Sequence, residues 1–334
     1  LEAEPTLILP IITHIPNAQA LSPIKDIRCT GIDIEKCAGD RLKELGLEKG
    51  NIGIVGPWGT WWSSFSIPAE HRDYFTQTFP KATFRVVTEM YERARLIKSE
   101  EEITHLERAA AINDVCQEEI ILTTRPGVRH SELYETSLIT STRLGGNVPF
   151  IHISSTPMAN PNMFYPDPYP TFETVKHGDA LLTEHAVGYG GYYAKIMSTW
   201  FVGEPAKEYR KMFDLVVSVY ERTLQDLKPG MTGHDAAKLV EPIAKAGYIH
   251  FPLLSGWSTY NHMPMAGVPQ GLEFPGVQKE KEDFVFKPGM TSSVWAVAVA
   301  PDLKSGVWIS TLCLFTKNGL RSFHKYDVTK LRIV

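Results

Sequence analysis

The amino-acid sequence predicts an α/β (α+β) protein of two domains. A small α/β domain is expected over residues 1–90, and a larger domain over residues 91–334 made of two pseudo-twofold halves, each a helix, a helix and a β-hairpin. Three observations carry this expectation. A chain of 334 residues is longer than one hydrophobic core usually organises. Its first part alternates short strand-like and helix-like runs, and its second part repeats itself.

In the first part, CAGDRLKELGLEKGNIGIVG reads as a helix closed near Gly46 followed by a strand. PAEHRDYFTQTF reads as a helix and FPKATFRVVTE as another strand, and the domain ends near Met90. The next segment, YERARLIKSEEEITHLERAAAINDVCQEEIILTTRPG, opens the second domain with a long helix. Ser99 is its N-cap, acidic residues fill its first turn, and apolar residues recur three and four apart until Pro126.

The repeat is the most informative feature. RPGVRHSELYE (Arg125 to Glu135) returns as KPGMTGHDAAK (Lys228 to Lys238), each after a long amphipathic helix. VKHGDALLTEHAVGYGGYYA then echoes in FKPGMTSSVWAVAVAPDLKSGVWIS, a basic turn with Gly followed by two alternating strands. Two such halves facing each other form a curved antiparallel sheet with helices outside, and the concave face is the natural pocket.

Composition excludes several classes. Hydrophobic residues are 43% and charged residues 22%, and no apolar run approaches the length of a membrane span. A formal net charge of -4 without a Lys/Arg cluster gives no footprint for nucleic acid or for a membrane surface. Cys29, Cys37, Cys116 and Cys313 are scattered without CxxC spacing, so reduced thiols and a cytoplasmic location are expected. The chain starts at LEAEPTLILPII with neither an initiator Met nor a signal-peptide pattern, and the expectation is a first domain truncated at its start.

These motifs give the chain a family resemblance. It resembles the pita-bread (M24) hydrolases, which include methionine aminopeptidase, aminopeptidase P, prolidase and creatinase. LIKSEEEITHLERAA is similar to the linker and first helix of the two-domain members, and the residues before it resemble their creatinase-type N-terminal domain. In the metallopeptidases two Asp of the first hairpin, one His and two Glu of the last strands hold two divalent cations. The resemblance puts Glu184 and Lys195 at the Asp positions, Trp257 at the His position, and Trp295 and Ser310 at the Glu positions. One carboxylate in five positions, with a Lys at a bridging one, is not a site for a hard divalent cation. No metal and no other cofactor is therefore expected.

Creatinase implies that the same cavity can work without metal, hydrolysing a small C–N compound with a His and carboxylates. Its pattern is altered here too: Asp167 stands where a substrate-side His is common, and Met197 and Trp295 occupy the creatinase-type carboxylate positions. Strand alternation points Glu184 and Lys195 into the cavity, opposite one another or nearly so. A buried Lys beside a carboxylate stays charged and holds an anion; without its partner it becomes a base or nucleophile; or the two simply fill the old metal site with a salt bridge.

His262, in STYNHMPM, is the first choice of general base, with His250 behind it and His185 expected to face the helices. Tyr260 and Asp167 are further cavity candidates, a donor and a base. Trp257, Trp295 and Trp308, with Trp58, Trp61 and Trp62 in GPWGTWWSSF, suit an apolar, aromatic or quaternary-ammonium group, or else pack a vacated site. GPWGTWWSSF would cover the partner subunit's pocket in a homodimer, as the resemblance implies. The expected activity is a metal-independent hydrolase acting on a non-peptide C–N bond of a small substrate. A metal-free lyase or decarboxylase and a catalytically inert peptide- or protein-binding domain are the alternatives.

Overall fold

The computed structural model describes residues 3–55, 67–169, 171–251, 254–255 and 285–334. The chain divides into two compact units, Leu1–Tyr91 and Glu92–Val334.

In the first unit, β1 (Thr6–Leu9) pairs in parallel with β2 (Asp26–Cys29), with α1 (Ile15–Leu21) between them. After α2 (Ile34–Glu44), β3 (Asn51–Ile54) pairs in parallel with β4 (Thr83–Val86), and α3 (Ala69–Thr78) lies between these two. The helix read up to Gly46 does close there: Gly46 takes φ +66, a left-handed conformation that glycine adopts without strain, and its N–H donates to the Lys43 carbonyl. α4 (Thr88–Arg95) carries the chain out of this unit.

The second unit opens with α5 (Glu100–Thr123), capped as its sequence requires: Ser99 Oγ accepts from the Glu102 N–H, and the Glu102 carboxylate accepts from the Ser99 N–H. There follow α6 (His130–Arg143), β5 (Asn147–Pro157), β6 (Asp179–Tyr189) and β7 (Tyr192–Phe201). The second half repeats the order with α7 (Lys207–Asp226), α8 (Gly233–Lys245), β8 (Leu254–Ser255), β9 (Thr291–Val299) and β10 (Gly306–Thr316), and ends with β11 (Gly319–Ser322). The strands form one seven-stranded antiparallel sheet in the order β5-β6-β7-β10-β9-β8, with β11 beside β10. β7 and β10 meet at its centre, where the two halves join.

The fold class expected from the sequence is borne out, with one correction to the halves. Each is helix, helix, single strand and hairpin, because β5 and β8 precede the hairpins at the two edges of the order. Neither strand is joined to its neighbour by a tight turn, and a reading that looks for hairpins passes over both.

Four turns show the duplication in the backbone. Gly127, Gly178, Gly230 and Gly289 take φ of +91, +89, +93 and +87, each inside a basic-turn-Gly motif. Their N–H groups donate across to Val175, Val202, Phe286 and Phe315 carbonyls at 2.8, 2.7, 2.9 and 2.8 Å. A side chain at any of these would be held in a left-handed conformation. Glycine at each is thus a structural requirement that the duplicated sequence kept.

The helices pack on one face of the sheet, burying Ile151, Ile153, Ile196, Val294, Ala296, Val307 and Ile309 against Phe213, Val216, Val240 and Ile243. The alternate residues of the same strands point to the other face. Among the described residues no helix is long and apolar enough to cross a membrane, and all four cysteines are free.

Candidate active site

Cross-strand pairing sets one row of residues across the face of the sheet opposite the helices. His152 of β5 is opposite Glu184 of β6, Glu184 is opposite Met197 of β7, Met197 is opposite Ser310 of β10, and Ser310 is opposite Trp295 of β9. Partners in register share a face, so five strands contribute one residue each to a single line. Lys195 lies two residues from Met197 on the same face of β7, opposite Ala186.

Lys195 reaches diagonally back to this row. Its Nζ donates to Glu184 Oε1 at 2.7 Å and lies 4.0 Å from the centroid of the Trp295 ring. The lysine is 0% exposed and Glu184 3%. Burial pushes the Glu184 carboxyl up, but the Lys195 charge and hydrogen bonds from its neighbours outweigh this and hold it at about 2. Burial pushes the Lys195 ammonium down, and Glu184 opposes that shift. An ion pair with an aromatic face on its cationic side is what the two residues make.

Two further residues close on Glu184. Tyr165 Oη donates to Glu184 Oε2 and lies 3.1 Å from His152 Nδ1, which is itself 3.6 Å from Oε2. Burial, then the Glu184 charge, pushes the Tyr165 phenol well above its ordinary range, so it stays a donor. Around this group stands an aromatic wall: the Trp308 ring lies 5.1 Å from Tyr165, 4.8 Å from Phe251 and 6.2 Å from Trp295. Trp308 Nε1 donates to the Phe164 carbonyl at 2.6 Å, which fixes the ring and the loop carrying Tyr165. Ser310 Oγ and Trp295 Nε1 are buried and make no hydrogen bond among the described residues. They are polar groups that a ligand bound beside the row could satisfy.

The sequence-predicted residues are thus divided. Glu184, Lys195, Trp295 and Ser310 come together. Glu184 and Lys195 are diagonal rather than opposite, because the two-residue turn at Gly190 and Gly191 sets Glu184 against Met197. Asp167 differs from its expected role: its side chain is exposed and makes no hydrogen bond among the described residues, while its backbone N–H donates to Ser154 Oγ at 2.6 Å and its carbonyl accepts from the Ile153 N–H. The residue ties its loop to β5. His250 is buried next to Phe251 of the wall, and burial lowers its pKa. His262, Trp257, Tyr260, Trp58, Trp61 and Trp62 lie outside the described residues.

Sequence reasoning missed His152 and Tyr165. His152 joins the site only through the pairing of β5 with β6, and a lone edge strand without a tight turn carries no hairpin signal in the sequence. Tyr165 sits in an irregular loop, where no periodicity marks direction.

His185 faces the helices as alternation requires, its Nε2 lying 2.6 Å from Ser137 Oγ of α6. Burial, with a smaller contribution from His324, lowers it from 6.5 to about 3. A depressed folded pKa means that its contribution is whole above the unfolded value and is lost as pH falls from 6.5 toward about 3, since only the unfolded chain takes the proton. Taking the protein from about pH 7.5 to about pH 5 is expected to cost about 2 kcal/mol through this residue. Urea titrations at the two pH values, on wild type and His185→Gln, check it: the variant should lose about one proton of pH dependence.

Residues 104–317 match the model of metallopeptidase family M24, and the chain belongs to that family, with its pita-bread fold. It is similar, at 26% identity over 283 residues, to the uncharacterized peptidase YqhT of Bacillus subtilis (strain 168), covering 84% of this chain and 72% of that protein. It is 25% identical over 260 residues to a Xaa-Pro dipeptidase of Lactobacillus helveticus, covering 77% of this chain and 68% of that one. Its fold is like that of the X-Pro aminopeptidase from Thermotoga maritima, with a TM-score of 0.79 at 18% sequence identity over 100% of this chain and 88% of that one.

The family's name implies a metal, and the donor set tests that implication. Across the row the side chains are imidazole, carboxylate, thioether, hydroxyl and indole, with an ammonium 2.7 Å from the carboxylate. Among the described residues no group of three or more His, Cys, Asp or Glu could hold a metal ion. These residues do not fit a dinuclear centre: the carboxylate is already neutralised by Lys195, and a divalent cation beside that ammonium would meet like charge.

Proposed function

We propose that this M24 protein hydrolyses a C–N bond of a small organic substrate by a mechanism independent of metal. The observation that carries the reading is the buried Lys195 ammonium, held between Glu184 at 2.7 Å and the Trp295 face at 4.0 Å. Here a fixed internal cation takes the place of a metal charge: it keeps Glu184 ionised and makes this part of the cleft receptive to an anionic or carbonyl group. Trp295 and Trp308 offer the surface for an apolar or cationic part of the substrate. In this reading His262 remains a candidate for proton transfer, and a homodimer would complete the pocket.

A second reading is favoured by the relatives. The name Xaa-Pro dipeptidase brings peptide bonds before proline into the substrate range, in place of the creatinase-type non-peptide bond. One experiment separates the readings. The full chain, treated with chelator or loaded with Mn²⁺, is offered Xaa-Pro dipeptides, guanidino acids and small amides. Turnover that survives the chelator and does not rise with Mn²⁺ is the expected result. Turnover only with Mn²⁺ overturns the metal-independent reading, and turnover of dipeptides alone selects the peptide bond.

A further inference from the structure

The hydrogen bonds around Glu184 run in one direction. Glu184, ion-paired to Lys195, can only accept. Tyr165 Oη lies against Oε2 of that carboxylate, so its single proton is committed to Glu184. The phenol oxygen therefore faces His152 Nδ1, at 3.1 Å, as an acceptor. Nδ1 must carry the imidazole proton, and Nε2 is left with the lone pair.

From this geometry we infer that His152 is the general base of the site, held in the Nδ1–H tautomer by Tyr165 and Glu184. The inference rests on the hydrolytic reading above. Its second support is exposure along the chain of bonds: the Lys195 side chain is 0% exposed, that of Glu184 4% and that of His152 14%, so the imidazole is the solvent-side end. Nε2 makes no hydrogen bond among the described residues, and the ring is flanked by Phe150 at 5.2 Å. Glu184 Oε2, 3.6 Å from Nδ1, then stabilises the imidazolium that forms when Nε2 takes a proton.

The step is a balanced hydrolysis. A water oxygen forms the new C–O bond while its proton passes to Nε2. When the C–N bond breaks, its electron pair stays on nitrogen and Nε2 returns the proton to it. His152 ends neutral, and one water is consumed for each bond cleaved. Tyr165 is a positioning residue, because it acts through the imidazole.

The test uses the full chain labelled with ¹⁵N-histidine and a long-range ¹H–¹⁵N spectrum of the rings, with His152 assigned by the signal missing in His152→Gln. The expected pattern is a protonated Nδ1 and a bare Nε2 in the wild type, giving way to a tautomer mixture in Tyr165→Phe. An Nε2–H pattern, or a mixture already in the wild type, overturns the inference. On a compound turned over by the wild type, His152→Gln should lower kcat about 100-fold or more with KM little changed and an unaltered melting temperature. Tyr165→Phe should give a smaller loss. A His152→Gln enzyme with undiminished kcat overturns the base and leaves the hydrolytic reading standing. Turnover of no compound at all overturns the hydrolytic reading and the base together.

Discussion

Replacing Lys195 with Met is expected to destabilise the second unit by about 3–5 kcal/mol, a fall in melting temperature of roughly 10 °C for a unit of this size. The reason is the charge left behind. Glu184 is 3% exposed and Lys195 is 0% exposed, so the carboxylate would lose its counter-charge where water cannot replace it. The reverse change, Glu184→Gln, should cost less, because burial already lowers the Lys195 pKa and the amine can discharge when its partner goes. The double variant removes both charges and should recover most of the loss. Calorimetry of the four proteins closes the cycle, and a double variant no more stable than Lys195→Met would show that the two residues are not coupled. The effect also has a pH window. The folded Glu184 carboxyl lies at about 2, below its ordinary 4.5, so the stability from its pairing is present above 4.5 and lost as pH falls toward about 2. The penalty of Lys195→Met should shrink over that range.

Replacing Trp308 with Ala should cost about 3–5 kcal/mol as well, for a different reason. The ring is 1% exposed and packs with Tyr165, Phe251 and Trp295, so its removal leaves a cavity at the aromatic wall. It also leaves the Phe164 carbonyl without the Nε1 donor. Trp308→Phe keeps most of the packing and loses only that donor, at an expected cost of about 1–3 kcal/mol. Because Tyr165 leans on this ring, both variants should disturb the His152 signal described above as well as the melting temperature. A Trp308→Ala protein as stable as wild type would show that the wall is not packed as described.

Much of the fold is legible in the sequence because it is set locally. Ser99 with Glu102, the four turn glycines and the helical spacing of apolar residues each act over a few positions, so a string of residues displays them. The site is less legible. Glu184 and Lys195 can be singled out by their positions in a hairpin, but their contact depends on the turn at Gly190 and Gly191, which fixes the register and leaves a long side chain to cross one pair diagonally. His152 and Tyr165 carry no sequence mark, since the first needs the β5 and β6 pairing and the second an irregular loop pinned by Trp308. Asp167, attractive as a carboxylate in a cavity loop, uses its backbone instead.

Residues near one another along the chain settle the helices with their caps and the duplicated halves, and they single out Glu184 and Lys195 in the first hairpin. Tertiary structure alone decided which side chains meet: the row from His152 to Trp295 joins five strands far apart in the chain, and the lysine between a carboxylate and an indole joins two hairpins. The physical reason is range. Propensity and capping act between neighbours along the chain, whereas the direction of a proton or the partner of a buried charge is set by strand register, which the whole sheet fixes at once.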